Sequence, residues 1–133
     1  MILIFLFAVV GLTLPQSITE FDKAELIQAI IQVESGGDPS AVGDNGEAVG
    51  ILQIHKVMVD DCNRIVGSKK FSYEDRKDPD KSKEMFRIYT DHYTPDWNPE
   101  KASRRWNAGP KGDKKSSSAG YWEKVKKILK KDE

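Results

Sequence analysis

Apolar residues return at three- and four-residue intervals along most of this chain, and polar segments rich in glycine and proline separate the runs. In the first run Leu26, Ile27, Ile30 and Ile31 share one face. Ser17-Ile18-Thr19-Glu20 has capping-box spacing and Thr19 or Asp22 can also cap, so a helix is expected from this segment to Glu34, ended by Gly36-Gly37 and Pro39. Asn45-Gly46, inside Gly43 to Gly50, is a tight-turn signal and predicts a short irregular hairpin. Helical spacing resumes from Ile51 to Val66, with Ile51, Ile54, Met58 and Ile65 on one face, Gln53 and His55 at its start and Gly67 closing it. Residues 67–80 are polar and read as a connecting loop. Asp80 can cap a helix over 81–93, whose Met85, Phe86, Ile88, Tyr89 and His92 form a broad inner face of core residues. Pro99 opens a helix from Glu100 to Trp106, Asn107-Ala108-Gly109-Pro110 stops it, and residues 111–118 read as a mobile surface loop. A last helix over 121–131 is anchored by Tyr121, Trp122, Val125, Ile128 and Leu129. The pattern predicts a mainly α (α+β) compact domain of about five helices and one small hairpin.

The 133 residues suit one domain that buries a core without disulfide staples. Met1 to Leu14 stands apart as an apolar run broken by Pro15-Gln16-Ser17, too short for a membrane span and of the length of an export signal's apolar core. A cleaved leader over 1–16, a folded domain over 17–133 and export to the periplasm or the medium are therefore expected. Cys62 is the single cysteine and cannot form an internal bridge; it reads as a small, half-buried packing residue. Residues 1–100 carry 10 basic and 17 acidic side chains and residues 101–133 carry 11 and 4, so a balance of −7 meets one of +7. The basic end suits an anionic polymer such as a cell wall, or is the wet face of the last helix, where Lys124, Lys126, Lys127, Lys130 and Lys131 stand. No basic patch interleaved with aromatics is present, and no nucleic-acid partner is expected. No metal or nucleotide motif is present, and no cofactor or metal is expected.

Glu34 is the residue with the clearest chemical potential. It follows the apolar wall of Ile27, Ile30 and Ile31 and precedes a backbone that turns away, which leaves space for a ligand. A carboxyl desolvated by such a wall holds its proton near neutral pH, as a general acid must. The same pattern also fits a solvated residue in the last turn of an ordinary helix, and the pattern alone leaves both open.

Three separated blocks bear on that choice: Glu34-Ser35-Gly36, Gly50-Ile51-Leu52-Gln53-Ile54 and Trp106-Asn107-Ala108-Gly109-Pro110. In this order and spacing they resemble the E-S-G, G-L-M-Q and Y-N-A-G blocks of the lysozyme-like lytic transglycosylases, and Tyr121-Trp122-x-Lys124-Val125 is similar to that family's closing Y-x-x-K-V element. Gly43-Asp44-x-Gly46-x-x-x-Gly50-x-x-Gln53 is also similar to the G-D-x-G-x-x-x-G-x-x-Q run of goose-type lysozymes. The resemblance covers about Lys23 to Val125, nearly the whole domain. It implies a peptidoglycan muramidase that cuts the β-1,4 bond between N-acetylmuramic acid and N-acetylglucosamine, with Glu34 as the catalytic acid and Ser35, Asp44, Gln53, Trp106, Asn107 and Tyr121 ordering the site or contacting sugar. The partner implied is the glycan strand of peptidoglycan, met by a monomer with no membrane span once the leader is gone.

Two-acid glycosidases place their carboxyls about 5 Å or about 6.5–9.5 Å apart. The transglycosylase likeness implies instead one glutamate acting as acid and then base while the sugar's own 6-hydroxyl attacks, giving a 1,6-anhydro product. The goose-type likeness implies hydrolysis, with Asp44 positioning a water, although His55 stands where that pattern has its next acidic residue and Asp44 before Asn-Gly is also an ordinary turn residue. Trp106 replaces the usual tyrosine, so the indole N–H or another residue must supply the phenol's role. Trp106, Trp97 and Tyr121 are candidates for stacking on sugars, with core packing expected for at least one of them. A wall-binding domain without catalysis is the alternative of a different class.

Overall fold

The computed structural model describes Gly11 and residues 17–131, so the expected leader lies almost entirely outside the described residues. The first helix, α1, runs Glu20–Ser35 and is followed by strands β1, Val42–Gly43, and β2, Ala48–Val49. Four more helices follow among the described residues: α2, Lys56–Val66; α3, Pro79–Tyr93; α4, Pro99–Ala108; and α5, Ala119–Lys131. The fold is thus mainly α with one small antiparallel hairpin, in which Val42 pairs with Val49 and Gly43 with Ala48.

Local chemistry sets the helix boundaries. Thr19 caps α1 in a reciprocal capping box with Asp22, and Gly36 closes it in the left-handed region at φ 65°. Asp78 caps α3 with Pro79 at the first position, two residues earlier than expected, and Asn98 caps α4 with Pro99 in the same role. Ser72 and Asp75 form a further capping box that opens a 3-10 turn over Tyr73–Lys77, inside a segment read from sequence as loop.

The largest departure is at the start of α2. A helix was expected from Ile51, but the backbone turns at Gly50 (φ 83°) and again at Gln53 (φ 49°), and α2 begins at Lys56. Ile51, Leu52 and Ile54 are nonetheless buried, and Ile54 pairs with Val49 as an isolated bridge beside the hairpin. Their apolarity marks a buried turn, and a short apolar run does not distinguish that from a helix.

The core gathers α1 (Leu26, Ile27, Ile30), the turn (Leu52, Ile54), α2 (Val59, Cys62), α3 (Met85, Phe86, Tyr89), α4 (Trp106) and α5 (Val125). Phe86 meets Trp106 at a centroid distance of 4.7 Å and Trp97 at 6.1 Å, a tilted aromatic group at the domain's centre. Cys62 is fully buried, where the sequence suggested half-burial, because α3 covers it. His92, expected on the inner face of α3, is exposed, since the face turns past it toward Tyr89 and Tyr93. Residues 111–118, expected to be mobile, form two 3-10 turns: Arg104 Nε donates to Ser118 Oγ at 2.8 Å and Nη2 to the Lys115 carbonyl at 2.9 Å.

Arg76, which the sequence did not single out, is buried and locks the hairpin to the rest. Its guanidinium donates to the carbonyls of Tyr73, Glu47 and Ile54 at 2.8, 3.1 and 3.2 Å. Its own carbonyl passes so close to Gly50 that a Cβ there would lie 1.9 Å from it. Gly50 therefore fits for two reasons, its positive φ and this contact.

Candidate active site

Glu34 lies in the last turn of α1, where the chain carries its carboxyl into an open groove of about 310 Å³ lined also by Val33, Asp44, Ala48, Gln53, His55, Met58, Trp106, Asn107, Tyr121 and Lys124. Burial disfavours its ionised form and is the main cause that pushes its pKa from 4.5 up to about 7; the charge of Asp44 pushes the same way. Two neighbours oppose the rise: the hydroxyl of Tyr121, which donates to Oε1 at 2.7 Å, and His55. The carboxyl also sits at the negative end of the α1 dipole, a further reason to stay neutral. Tyr121 is itself raised well above the usual phenol value, by burial and then by the nearby carboxylate, so it remains a donor.

Ser35 does not line the groove. Its Oγ donates to the Ile51 carbonyl at 2.7 Å and accepts from the Gly37 amide at 3.0 Å, which ties the end of α1 to the turn before α2. Gln53 lines the groove while its Nε2 donates to the carbonyls of Ala41 and Gly50 at 3.1 and 3.0 Å. Its amide oxygen stands 2.5 Å from where a Cβ on Gly43 would be, so a side chain at Gly43 would push the Gln53 amide from this position. Asp44 and Asn45 both adopt left-handed backbone, which Asp and Asn tolerate best among residues with a Cβ. That turn points Asp44 to His55, whose Nε2 lies 3.0 Å from Asp44 Oδ2. Asn107, at the exposed end of α4, faces the same groove.

The aromatic candidates separate. Tyr121 is in the groove and on Glu34. Trp106 borders it with only 5% of its surface exposed, packed against Phe86 and Tyr89. Trp97 is away from the groove, 1% exposed, with its indole N–H donating to Asp91 at 2.7 Å, so stacking on a substrate is ruled out for it by packing. Val33, Ala48, Met58, His55 and Lys124 line the groove without having been assigned there. Lys124 was legible as a neighbour of Tyr121 three residues on, which puts both on one helix face. The pairing of His55 with Asp44 and of Tyr121 with Glu34 is tertiary and carries no local signal. Among the described residues no three His, Cys, Asp or Glu side chains converge to hold a metal ion.

A helical domain that shelters one proton-holding carboxyl in an open groove, beside a tight glycine turn, has the build of a lysozyme-like glycosidase. The chain belongs to the transglycosylase SLT domain family, whose model matches residues 18–129. The family consists of lytic transglycosylases, glycosidases that act on peptidoglycan. A comparison with curated proteins gives no match.

Proposed function

We propose that this protein cuts the β-1,4 bond between N-acetylmuramic acid and N-acetylglucosamine by lytic transglycosylation, with Glu34 as both acid and base. The observation that carries the reading is a carboxyl that keeps its proton up to about pH 7 in a groove open enough for a glycan strand. Protonated Glu34 gives its proton to the bridging oxygen as the bond from C1 to that oxygen breaks. The positive charge left at C1 is then taken by the sugar's own 6-hydroxyl oxygen, and the hydroxyl proton returns to Glu34, so no water is consumed and the acid is restored. Tyr121 stabilises the carboxylate between the two transfers by donating to Oε1. It also offers a phenol where Trp106 has none.

Hydrolysis is the second reading, favoured by Asp44 facing the same groove. Against it, the Asp44 side chain is 72% exposed and one carboxylate oxygen is engaged by His55. An exposed, tethered carboxylate is poorly placed to hold one water in a dry site. Domains of this family that act on peptidoglycan usually work outside the cytoplasm, which accords with an exported protein. Mass spectrometry of the muropeptides released from purified peptidoglycan tests the proposal. Products lighter by one water, with no reducing end, are expected from the native protein and none from Glu34→Gln; reducing muramic acid ends would assign the hydrolytic outcome instead.

A further inference from the structure

Among the described residues that line the Glu34 groove, Asp44 is the one other carboxyl, and its single hydrogen-bond partner is His55, with Nε2 at 3.0 Å from Oδ2. A carboxylate only accepts, so Nε2 carries a hydrogen and donates it. The two residues differ in how firmly they are seated. His55 stands between Ile54 and the first turn of α2. The Ile54 backbone bonds to that of Val49 in both directions, at 3.0 and 3.2 Å, Arg76 donates to the Ile54 carbonyl at 3.2 Å, and the His55 carbonyl accepts from the Met58 amide at 3.0 Å. The His55 side chain makes no capping bond to α2, which leaves its ring for Asp44. Asp44 instead opens the Asp44–Gly46 turn in left-handed backbone at φ 49°, with an exposed side chain. The bond is therefore a strut from the fixed start of α2 to an exposed turn, and it pins the Asp44 carboxylate on the α2 side of the groove.

The position of Asp44 bears on the fate of the sugar cation left when Glu34 has protonated the bridging oxygen. The groove is open, so water competes with the 6-hydroxyl for C1. The hydroxyl is tethered to the ring it attacks, which gives it an effective concentration far above that of bulk water once aligned. Water attacks fast only where a base holds it and takes its proton. Asp44 is the groove's carboxylate free of the first proton transfer, and so the candidate for that task. We propose that His55 is a positioning residue that decides the product: by holding Asp44 against α2 it leaves water without a base, and the sugar closes on its own hydroxyl. With the strut removed, Asp44 turns over the groove, orients a water toward C1 and accepts its proton as the new C1–O bond forms. The product then carries a reducing end; Asp44 passes its proton to solvent, and Glu34, left ionised by the first transfer, regains one from solvent. The proposal rests on the transglycosylation reading of the Glu34 groove and adds the residue that enforces it.

The test uses peptidoglycan whose existing ends have been reduced with borohydride, and mass spectrometry counts the new anhydro and new reducing ends. The native protein is expected to give anhydro ends almost alone. In His55→Ala the ratio of reducing to anhydro ends is expected to rise about tenfold, short of the roughly 100-fold of a well-placed base because Asp44 stays exposed. His55→Gln, which brings an amide N–H to a similar reach, is expected to restore the native ratio. Adding Asp44→Asn to His55→Ala is expected to return the product to anhydro ends, since the amide takes no proton. The ratio is read within each variant, so a smaller amount of folded protein does not mimic the effect. An unchanged ratio in His55→Ala, or reducing ends that persist once Asp44→Asn is added, would overturn the proposal. So would a folded His55→Ala protein that makes neither product, which would place His55 in bond cleavage itself. Reducing ends as the main product of the native protein would strike at the transglycosylation reading and take this proposal with it, so the two failures are distinguishable.

Discussion

Replacing Glu34 by Gln is expected to silence the enzyme and at the same time make it more stable, by an amount that depends on pH. The amide has the shape of the carboxyl and keeps an oxygen for the Tyr121 hydroxyl, but it cannot ionise. In the folded protein the carboxyl titrates near 7, against an ordinary 4.5 once the chain is unfolded. Below 4.5 both states are protonated and Glu34 carries no penalty. As pH rises from 4.5 the unfolded chain releases its proton first, and folding is progressively disfavoured until the native carboxyl also ionises near 7. Above that the native state holds a charge in a sheltered place, at a cost of about 3 kcal/mol. The amide escapes that cost. Urea unfolding followed by circular dichroism should therefore show no difference between the two proteins at about pH 4, and the variant ahead by about 3 kcal/mol at about pH 8, or about 10 °C in Tm. A gain that is the same at both pH values, or a loss at the higher one, would refute the claim that desolvation raises this carboxyl.

Three more outcomes follow from the same structure. Activity on peptidoglycan should fall as pH rises through about 7, where Glu34 loses its proton, and in Tyr121→Phe that fall should move to higher pH, because the hydroxyl holds the carboxyl's pKa down; a pH profile of kcat/KM reads both. Gly50→Ala should destabilise the domain by more than about 3 kcal/mol, since the new methyl meets the Arg76 carbonyl and the backbone there is left-handed; thermal unfolding measures it, and a loss below about 1 kcal/mol would contradict the described turn. Cys62 should resist alkylation in the native protein at neutral pH and react on unfolding, because burial first and Asp61 second push its thiol up to about 12; mass spectrometry after iodoacetamide treatment decides it.

The helices were legible because their apolar stripes, prolines and glycines act locally. Thr19 with Asp22 and the Gly36-Gly37 stop delimit α1 from within a few residues of each end, and Glu34 could be placed in its last turn on that basis alone. Local pattern failed where burial came from elsewhere. Ile51, Leu52 and Ile54 are core residues of a turn held by Gly50 and by the Gln53 backbone, so their apolarity suggested a helix five residues too long. The cleft was half legible: motif spacing pointed to Glu34, Gln53 and Asn107, which share it, and to Ser35, which lies outside it and ties the end of α1 to the turn before α2. What no spacing could reveal was that Trp97 packs on Phe86 with its indole N–H on Asp91, away from the groove.

The bond between Tyr121 and Glu34 spans 87 positions of the chain. During synthesis the first of these residues leaves the ribosome long before the second, and α5 emerges after α1 to α4. A nascent chain therefore carries an acid whose hydroxyl partner and one groove wall have not yet arrived. Assembly of the candidate site waits until α5 has been made and can pack against α1.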